Sequence, residues 1–279
     1  MQEYPKISIV TVTYNCVDTI EQTICNVLKQ TYPNIEYIVI DGASTDGTKE
    51  VIEKYADRLA YWVSEPDSGI YDAMNKGIKA ATGEWILFRN SGDYFFKPTT
   101  VEDVFEWYED HGEDIITGGK RVFEHNGYFD AYPHTTLSEK YWDKARFSHP
   151  VTFIRCQLQK QNPFPENLKI AGDFYFFCKM VIAGCKSVYY PYIIALFDGE
   201  TGFSAQNRRL SFKEVLYVIQ KLGASPEDLL QLKKKYRLSS MLCVILKYIK
   251  RIGLLNRLYR KAKYPNWTFM PKSQILSNI

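Results

Sequence analysis

The stretch KISIVTVT, residues 6–13, is rich in β-branched residues and predicts the first strand of the chain. Apolar residues at helical spacing follow it, and Asp18 and Glu21 have the spacing of a capping box, so we expect a helix that begins at Asp18. Strand-like and helix-like segments then alternate as far as residue 88. The strand-like runs lie at 36–40, 61–64 and 84–88, and the helix-like segments at 49–55 and 71–81. Repeated strand–helix–strand units predict a parallel, doubly wound sheet with helices on both faces.

The composition is that of a folded globular protein. With 279 residues, 46% hydrophobic and 24% charged, the chain can bury one sizeable core or two modest ones. The sequence has no leader pattern and no run of about 18 apolar residues, so we expect an intracellular protein that does not span a membrane. Six scattered cysteines without a C-x-x-C pair, and four dispersed histidines, predict free thiols and no zinc site.

Polar clusters follow the predicted strands. They are Tyr14-Asn15, Asp41, residues 65–67 and residues 90–93. In a doubly wound sheet, ligands bind at the carboxyl ends of the strands, so the four clusters predict one site. The chain contains neither G-x-G-x-x-G nor G-x-x-x-x-G-K-[ST], which argues against a dinucleotide-binding dehydrogenase and against a P-loop nucleotide hydrolase.

The fourth cluster ends in a single carboxylate. The stretch GEWILFRNSGD, residues 83–93, runs from a predicted strand into a polar turn that closes with Asp93. Such a carboxylate can bind Mg²⁺ or Mn²⁺ together with the phosphates of a substrate. The alternative is that Asp93 only forms the turn.

Five stretches taken together resemble the family 2 glycosyltransferases. These are SIVTVTYN at 8–15, YIVIDGASTDGT at 37–48, EPDSGIYDAMNKGIKAATGEWILFRNSGD at 65–93, SHPVTFI at 148–154 and IAGDFYFFCKM at 170–180. The resemblance implies the GT-A fold, a mostly parallel, doubly wound mixed sheet flanked by helices. It also implies inverting sugar transfer from a nucleoside-diphosphate sugar to a glycan or lipid-linked acceptor, as in bacterial polysaccharide, lipopolysaccharide or capsule assembly.

The resemblance also implies the residues that bind the nucleotide sugar. They are Thr11, Tyr14, Asn15, Asp41, Asp67, Asn75, Lys76 and Asn90. Tyr14 would stack on the base, Asp41 would accept a hydrogen bond from it, and UDP is the expected nucleotide. For Thr11 and Tyr14 the alternative is that they only end a strand. Asp72 would be either a ligand or an acid that stabilises a helix start.

The resemblance implies a metal ligand at Asp93, with Mn²⁺ or Mg²⁺ as the cofactor, but two departures stand out. Asn90 and Gly92 occupy motif positions where relatives often carry acids, which puts the affinity for metal in doubt. Met74 stands where relatives frequently place an Arg. Lys76, Arg89 and Arg208 are the candidates for the missing cation, and the sequence does not choose among them.

On the acceptor side, the resemblance implies that Asp173 is the general base, and the alternative is a helix N-cap. His149 and Ser204 match acceptor-side elements, although Thr201 replaces the first Gly of the loop that contains Ser204. Trp142 and Phe147 would either stack on sugar rings or pack in the core.

The division expected from the resemblance is a catalytic domain at 1–210, with a nucleotide-sugar half at about 1–95 and an acceptor half at 96–210, and a helical, basic extension at 211–279. Residues 1–228 hold all 32 acids, whereas 229–279 hold twelve Lys and Arg and no acid. In 238–261, basic and apolar residues fall on opposite helical faces, which favours binding to an anionic membrane surface. The alternative is packing on the body, and the apolar face argues against nucleic acid. We therefore expect a cytoplasmic protein peripheral to the membrane.

Two other functions stay open. One is a non-catalytic, membrane-associated protein that binds nucleotide sugars with the same fold. The other is a nucleotidyltransferase, which would need a Gly-rich, basic loop after the first strand, and VTYNCVDTIEQ contains no such loop. The sequence does not indicate the oligomeric state.

Overall fold

The computed structural model describes residues 4–124, 127–133, 140–145, 147–200, 202–249 and 266–270, with the backbone alone for 238–249 and 269. The strands are β1 Ile7–Thr13, β2 Ile35–Asp41, β3 Tyr61–Ser64, β4 Trp85–Phe88, β5 Tyr94–Phe95, β6 Ile115–Phe123, β7 Gly127–Ala131, β8 Thr152–Arg155, β9 Ser187–Asp198 and β10 Thr268–Phe269. The helices are α1 Val17–Leu28, α2 Thr48–Glu53, α3 Ile70–Ala80, α4 Thr100–Trp107, α5 Tyr141–Lys144, α6 Cys156–Gln161, α7 Gly172–Ile182, α8 Phe203–Gln206, α9 Arg208–Lys221 and α10 Pro226–Ile249. Short 3₁₀ turns occupy Ala56–Arg58 and His149–Val151.

The strands form one mixed sheet. Its order is β10-β7-β6-β8-β4-β1-β2-β3, and β9 pairs with both β6 and β5. The first four strands run parallel, as the alternating pattern predicts. β8 runs antiparallel to β4 and β6, and β9 runs parallel to β6. The first half of the chain therefore forms the parallel part of the sheet, and the second half extends it.

The core lies in two layers, one on each face of the sheet. Ile20, Ile24 and Val27 of α1 pack on one face together with residues of α2 and α4. Residues of α3 and α7 pack on the other face, among them Met74 and Phe176. Burying a large apolar side chain contributes roughly 1.5–3 kcal/mol, so both layers stabilise the fold substantially. Helices on both faces confirm the predicted doubly wound arrangement.

The predicted N-cap of α1, Asp18, is wrong by two residues. The helix begins at Val17, with Cys16 at the N-cap and no side-chain capping bond of its own. Its first N–H groups instead bond to the loop after β2: Val17 donates to Asp46 at 3.0 Å and Cys16 donates to Thr48 at 2.8 Å. Side chains distant in sequence replace the local capping box, because they reach the same unsatisfied N–H groups.

The boundary that we expect after residue 210 falls inside α9. Val218 of this helix is buried in the core, and Tyr141 donates a hydrogen bond to the carbonyl of Ile219 at 2.8 Å. We therefore propose that the body extends through α9. α10 begins with a capping box, since Ser225 and Asp228 exchange hydrogen bonds. β10 returns to pair with β7, so the extension is not wholly helical.

The cysteines whose side chains are described are free, namely Cys16, Cys25, Cys156, Cys178 and Cys185. Of these, Cys156 and Cys178 are buried and the others are half-buried. Burial raises the pKa of the Cys178 thiol to about 12, so this thiol is inert at neutral pH. The sixth, Cys243, lies where only the backbone is described.

Candidate active site

The polar clusters predicted from the sequence meet at one edge of the sheet. Thr13 pairs with Asp41, and Asp41 pairs with Ser64, so the ends of β1, β2 and β3 lie side by side. β4 runs parallel to β1 on its other side, and residues 90–93 follow its end. The prediction of a shared edge is confirmed.

Tyr14 and Asp67 both lie against Gly42 at this edge, and we refer to these three residues as the slot. Tyr14 is 60% exposed, and Gly42 is buried. A methyl group at Gly42 would lie 2.4 Å from Oδ2 of Asp67 and 3.3 Å from Cδ2 of Tyr14. The absence of a side chain at Gly42 therefore brings an exposed ring and a carboxylate together, which suits a planar base bearing N–H groups.

Asp41 does not face this slot with a free carboxylate. The residue is fully buried, and its oxygens accept hydrogen bonds from the Ser44 hydroxyl at 2.5 Å, the Ser44 N–H at 3.0 Å and the Ser64 hydroxyl at 2.5 Å. These bonds join the ends of β2 and β3, and the hydrogen bond that Asp41 would accept from a base stays a prediction. Asp67 is the carboxylate that the slot presents, and burial raises its pKa.

Asn15 connects two loops of the site. It adopts a left-handed backbone conformation with φ of 50°, which Asn tolerates better than most residues. Its N–H donates to the Ser44 hydroxyl at 2.8 Å, and its Oδ1 accepts from the N–H of Thr45 at 2.9 Å. Asn15 is exposed at the predicted edge, where it holds the loop after β1 against the loop after β2.

Thr11 is placed differently from the expectation. Its side chain is fully buried, and its hydroxyl donates to the carbonyl of Arg89 at 2.7 Å and lies 3.0 Å from the Tyr37 hydroxyl. The burial of Thr11 supports the alternative of a structural strand residue. The Arg89 guanidinium is buried too, 3.9 Å from the centre of the Phe95 ring, and burial lowers its pKa to about 10.

Asn75 and Lys76 both bond to loops beside α3. Asn75 is buried, donates to the Phe164 carbonyl at 2.9 Å and to Glu166 at 3.1 Å, and accepts from the Phe164 N–H at 2.9 Å. Lys76 forms an ion pair with Glu65 at 2.8 Å. Direct contacts from these two residues to a nucleotide stay a prediction.

Asp72 and Met74 also lie in α3. Asp72 lies in the first turn and accepts a hydrogen bond from the N–H of Ser68 at 2.9 Å, which supports the helix-start alternative. Met74 is buried in the core. A cationic side chain at this position would be a buried charge and would need a partner of opposite charge.

Asp173, His149, Asn90 and Asp93 form one continuous array beyond β4. His149 Nδ1 lies 2.9 Å from Oδ2 of Asp173, so the Nδ1–H donates to this carboxylate. On the other side of the ring, Nε2 lies 3.2 Å from Nδ2 of Asn90 and 3.9 Å from Oδ2 of Asp93. The array therefore joins the predicted metal ligand to the predicted general base through a histidine.

Asp173 is held from three directions. It is the second residue of α7 rather than its N-cap, and its Oδ1 accepts from the Phe174 N–H at 2.8 Å and lies 3.3 Å from the Tyr71 hydroxyl. Burial would raise the pKa of Asp173, but the hydrogen bond and charge of His149 outweigh burial and lower it. The side chain keeps 21% of its surface exposed.

Asp93 is more enclosed. Only 11% of its side chain is exposed, and burial raises its pKa. The positive charges of His149, Arg89 and Lys120 act in the opposite direction, whereas the carboxylate of Asp198 reinforces the effect of burial. Binding a cation in front of Asp93 would relieve this cost of burying a carboxylate.

Lys120 is a functional candidate that the sequence did not indicate. It lies on β6, its Nζ donates to the Ser148 hydroxyl at 3.0 Å, and it lies 4.5 Å from the centre of the Phe197 ring. Burial lowers the pKa of Lys120, while Asp93 and Asp173 favour its charged form. The local sequence, a Lys after two glycines in a β-rich run, does not predict that Lys120 lies in the site. Lys120 reaches the site only because β6 pairs with its neighbouring strands.

Lys120 stands out against the three cations suggested by the sequence. Lys76 is paired with Glu65, and Arg89 is buried. Arg208 is exposed at the start of α9 and donates to the carbonyl of Ala205. Lys120 is the lysine that both Asp93 and Asp173 influence electrostatically.

The residues around Asp93 fit a divalent ion that is shared with a phosphate ligand. Among the described residues, no group of three or more His, Cys, Asp and Glu could hold an ion alone. Oδ1 of Asn90, however, is buried and has no hydrogen-bond partner within that part of the chain. Mg²⁺ and Mn²⁺ accept one or two protein oxygens when phosphate and water supply the remainder.

The other acceptor-side candidates have different positions. Ser204 is exposed in α8, which follows β9, and Thr201 lies outside the described residues. Trp142 packs on Tyr141 at 4.8 Å, and Phe147 packs on Phe177 at 5.0 Å, measured between ring centres. The packing alternative for these two aromatic residues is therefore supported.

Solved structures share this fold. A mannosyltransferase from Pyrobaculum calidifontis, in complex with GDP-Man and Mn²⁺, matches with a TM-score of 0.63 and 21% identity over 83% of this chain and 70% of that one. TarS 1-349 of Staphylococcus aureus, in complex with UDP-GlcNAc, matches with a TM-score of 0.60 and 21% identity over 81% of this chain and 70% of that one. The predicted GT-A fold is confirmed.

Curated relatives are glycosyltransferases. Over 107 residues the chain is 40% identical to the uncharacterized glycosyltransferase Rv1514c of Mycobacterium tuberculosis. This match covers 38% of this chain and 41% of the relative. Over 231 residues it is 29% identical to the poly(ribitol-phosphate) beta-N-acetylglucosaminyltransferase TarS of Staphylococcus aureus, covering 77% of this chain and 40% of TarS. The matches thus span about two fifths of the length of these relatives.

The model of one protein family matches residues 8–178, which include every strand end of the site and the first part of α7 with Asp173. This stretch is more than half of the chain. The protein belongs to glycosyl transferase family 2.

Proposed function

We propose that the protein transfers a sugar from a nucleoside-diphosphate sugar, with UDP as the expected nucleotide, to a glycan or lipid-linked acceptor with inversion at the anomeric carbon. The observation that carries the proposal is the array of Asp93, His149 and Asp173 at the strand edge. In this array a partly exposed carboxylate and a more enclosed one lie on either side of a single histidine. The slot of Tyr14 and Asp67 lies at the same edge and suits a base.

In the proposed reaction, Asp173 takes the proton of the acceptor hydroxyl as its oxygen attacks the anomeric carbon. A new carbon–oxygen bond forms, and the bond to the diphosphate breaks on the opposite face. His149 holds Oδ2 of Asp173 through its Nδ1–H, and Tyr71 and Phe174 hold Oδ1. Each carboxylate oxygen accepts more than one hydrogen bond, so these contacts leave room for the acceptor.

Asp93 and Oδ1 of Asn90 would hold Mn²⁺ or Mg²⁺ together with the donor phosphates, and the ion would neutralise charge on the leaving diphosphate. We propose that Lys120 contributes a second positive charge there. Its position is compatible with this role because Asp93 and Asp173 both influence its charge. Lys120 would then supply the cation that relatives often carry at the position of Met74.

The function can be tested by binding, without knowledge of the acceptor. UDP, GDP, TDP and CDP are each added with Mn²⁺ or with chelator, and thermal unfolding is followed for the wild type and for Asp93→Ala. A ligand at 100 times its Kd stabilises the native state by about 2.7 kcal/mol. We expect UDP with Mn²⁺ to raise the Tm by several degrees, and the Mn²⁺-dependent part to vanish in Asp93→Ala.

The control for this panel is Asp57→Asn, which changes an exposed acid before β3, at the amino end of the parallel strands. It should keep the full response to UDP and Mn²⁺. If no nucleotide shifts the Tm under either condition, the proposal fails. If a nucleotide shifts the Tm equally in chelator and in Asp93→Ala, the metal part of the proposal fails and the transfer part stands.

We also propose that residues 229–279 bind an anionic membrane surface, which would bring the site to a lipid-linked acceptor from the cytoplasmic side. In the part of α10 with described side chains, Lys233, Lys234 and Lys235 are exposed, and Leu230 beside them is 52% exposed. The predicted amphipathic stretch 238–261 lies outside the described side chains. No described helix has the length and apolar character needed to cross a bilayer.

Vesicle flotation tests this proposal. Changing Lys233, Lys234 and Lys235 to Gln should weaken binding to vesicles rich in phosphatidylserine by about 100-fold, since each base near the surface contributes about 1 kcal/mol. The matched control changes three exposed lysines of the body, Lys29, Lys49 and Lys54, and should bind as the wild type does. Equal binding by both triple variants, or equal binding to neutral vesicles, would contradict the proposal.

A further inference from the structure

The segment before the proposed base is held by a residue from another helix. Glu214 lies in α9, and its carboxylate accepts hydrogen bonds from three consecutive N–H groups: Lys169 at 3.0 Å, Ile170 at 2.8 Å and Ala171 at 3.0 Å. These residues lead directly into α7, whose second residue is Asp173. One carboxylate therefore fixes the backbone that enters the helix of the base.

α7 has no side-chain cap of its own. Its N-cap residue is Ala171, which carries no acceptor, so the N–H groups at the helix start other than that of Phe174, which bonds to Asp173, would need water or a distant partner. Glu214 supplies the acceptor for the N–H of Ala171 and of the two residues before it. A carboxylate at a helix N-terminus is also stabilised by the helix dipole.

The opposite side of the same segment is held by Tyr71. Its hydroxyl lies 2.7 Å from the Ile170 carbonyl, to which it donates, and 3.3 Å from Oδ1 of Asp173. Gly172 packs against the Tyr71 ring so closely that a methyl group at Gly172 would lie 2.7 Å from it. Glu214 binds the N–H groups and Tyr71 binds the carbonyl, so the segment has little freedom to shift.

We infer that Glu214 is a positioning residue for transfer: it acts through the backbone of residues 169–171 to hold Asp173 at the acceptor hydroxyl, and it touches neither substrate. This inference rests on the proposed function for the role of Asp173. It also gives α9 a role in transfer, because this helix carries Glu214 to the segment 169–171. Reactions with a positioned base lose rate steeply when the base is displaced by about 1 Å.

The test uses Glu214→Gln, which keeps the shape but replaces one acceptor oxygen with an N–H₂ group that faces backbone donors. We expect kcat to fall about 10-fold while KM for the donor changes less than about 2-fold, because only the base is misplaced. In the Asp173→Asn background, Glu214→Gln should cause no further fall, since two residues that act through one step are not additive. An additive effect would overturn the inference.

A readout that needs no activity accompanies the kinetics. Hydrogen exchange of the amides at 169–171 should quicken at least about 10-fold in Glu214→Gln, whereas exchange in β1 and β4 stays as in the wild type. Unchanged exchange at 169–171 overturns the inference, whether or not the protein transfers sugar. Absence of transfer by the wild type would contradict the proposed function separately.

Ser225→Ala is the matched control. It removes the capping hydroxyl of α10, which accepts from the Asp228 N–H at 3.1 Å, and so weakens a helix that does not carry the base. This variant should lower the Tm and leave kcat unchanged. If Ser225→Ala lowers kcat as much as Glu214→Gln does, a general loss of stability explains both effects and the inference fails.

Discussion

Replacing Asp173 by Asn lowers the rate of sugar transfer by about 100- to 10,000-fold, the usual contribution of a general base. An amide keeps the size of the side chain and still accepts hydrogen bonds, but it cannot take the proton of the acceptor hydroxyl. His149 loses a charged partner, yet the donor slot at Tyr14 and Asp67 is built from other loops. Donor binding should therefore be retained, and the loss should appear in kcat.

The measurement compares initial transfer rates with nucleotide affinity for the same preparations. Asp57→Asn serves again as the control with the same chemical change, and its rate should equal that of the wild type. A loss of UDP binding in Asp173→Asn, in parallel with the rate, would mean that Asp173 supports the donor site instead. An unchanged rate in Asp173→Asn would show that another group takes the proton.

The parallel half of the fold could be predicted because its signals are local. Each strand is a short run of β-branched or aromatic residues, and a polar residue ends or follows it, as Asp41 ends β2. Parallel strands must place these ends at one edge, whatever the details of the loops. Tyr14 and Asp93 were located in this way, with no information beyond strand order.

The roles of buried polar residues could not be predicted in the same way. Asn75 and Lys76 are adjacent on α3, yet Asn75 bonds to the loop at Phe164 and Lys76 pairs with Glu65. A helical pattern gives the face of a residue but not the loop that will lie against it. Thr11 shows the same limit, since its hydroxyl satisfies a backbone carbonyl of the adjacent strand.

The second half of the site depends on contacts between distant segments. Lys120 reaches the site because β6 pairs with β8, and Glu214 reaches Ala171 across 43 residues of sequence. Neither residue belongs to a short motif. The boundary expected after residue 210 would have separated Glu214 from the base, although α9 packs on the same core as α7.

Replacing Lys120 by Met should lower kcat by about 100- to 1,000-fold, as the loss of a single donor at a developing negative charge does in other enzymes. Met has a similar length and fills the space beside Phe197 without a charge. The effect follows from the position of Lys120. Without this lysine, less positive charge would offset the carboxylates of Asp93 and Asp173 and the leaving diphosphate. UDP affinity should fall both in chelator and with Mn²⁺.

The control for Lys120→Met is Lys49→Met, a change at an exposed lysine that forms an i,i+4 pair with Glu53. Both variants are followed by transfer rate, UDP affinity and Tm. Lys120→Met should stay folded, since burial already opposes the charge of this lysine. If Lys120→Met keeps its rate and its UDP affinity, the lysine only neutralises Asp93 in the resting protein. The positive charge that stabilises the leaving diphosphate must then come from the metal alone or from the acceptor side, where Arg208 follows α8.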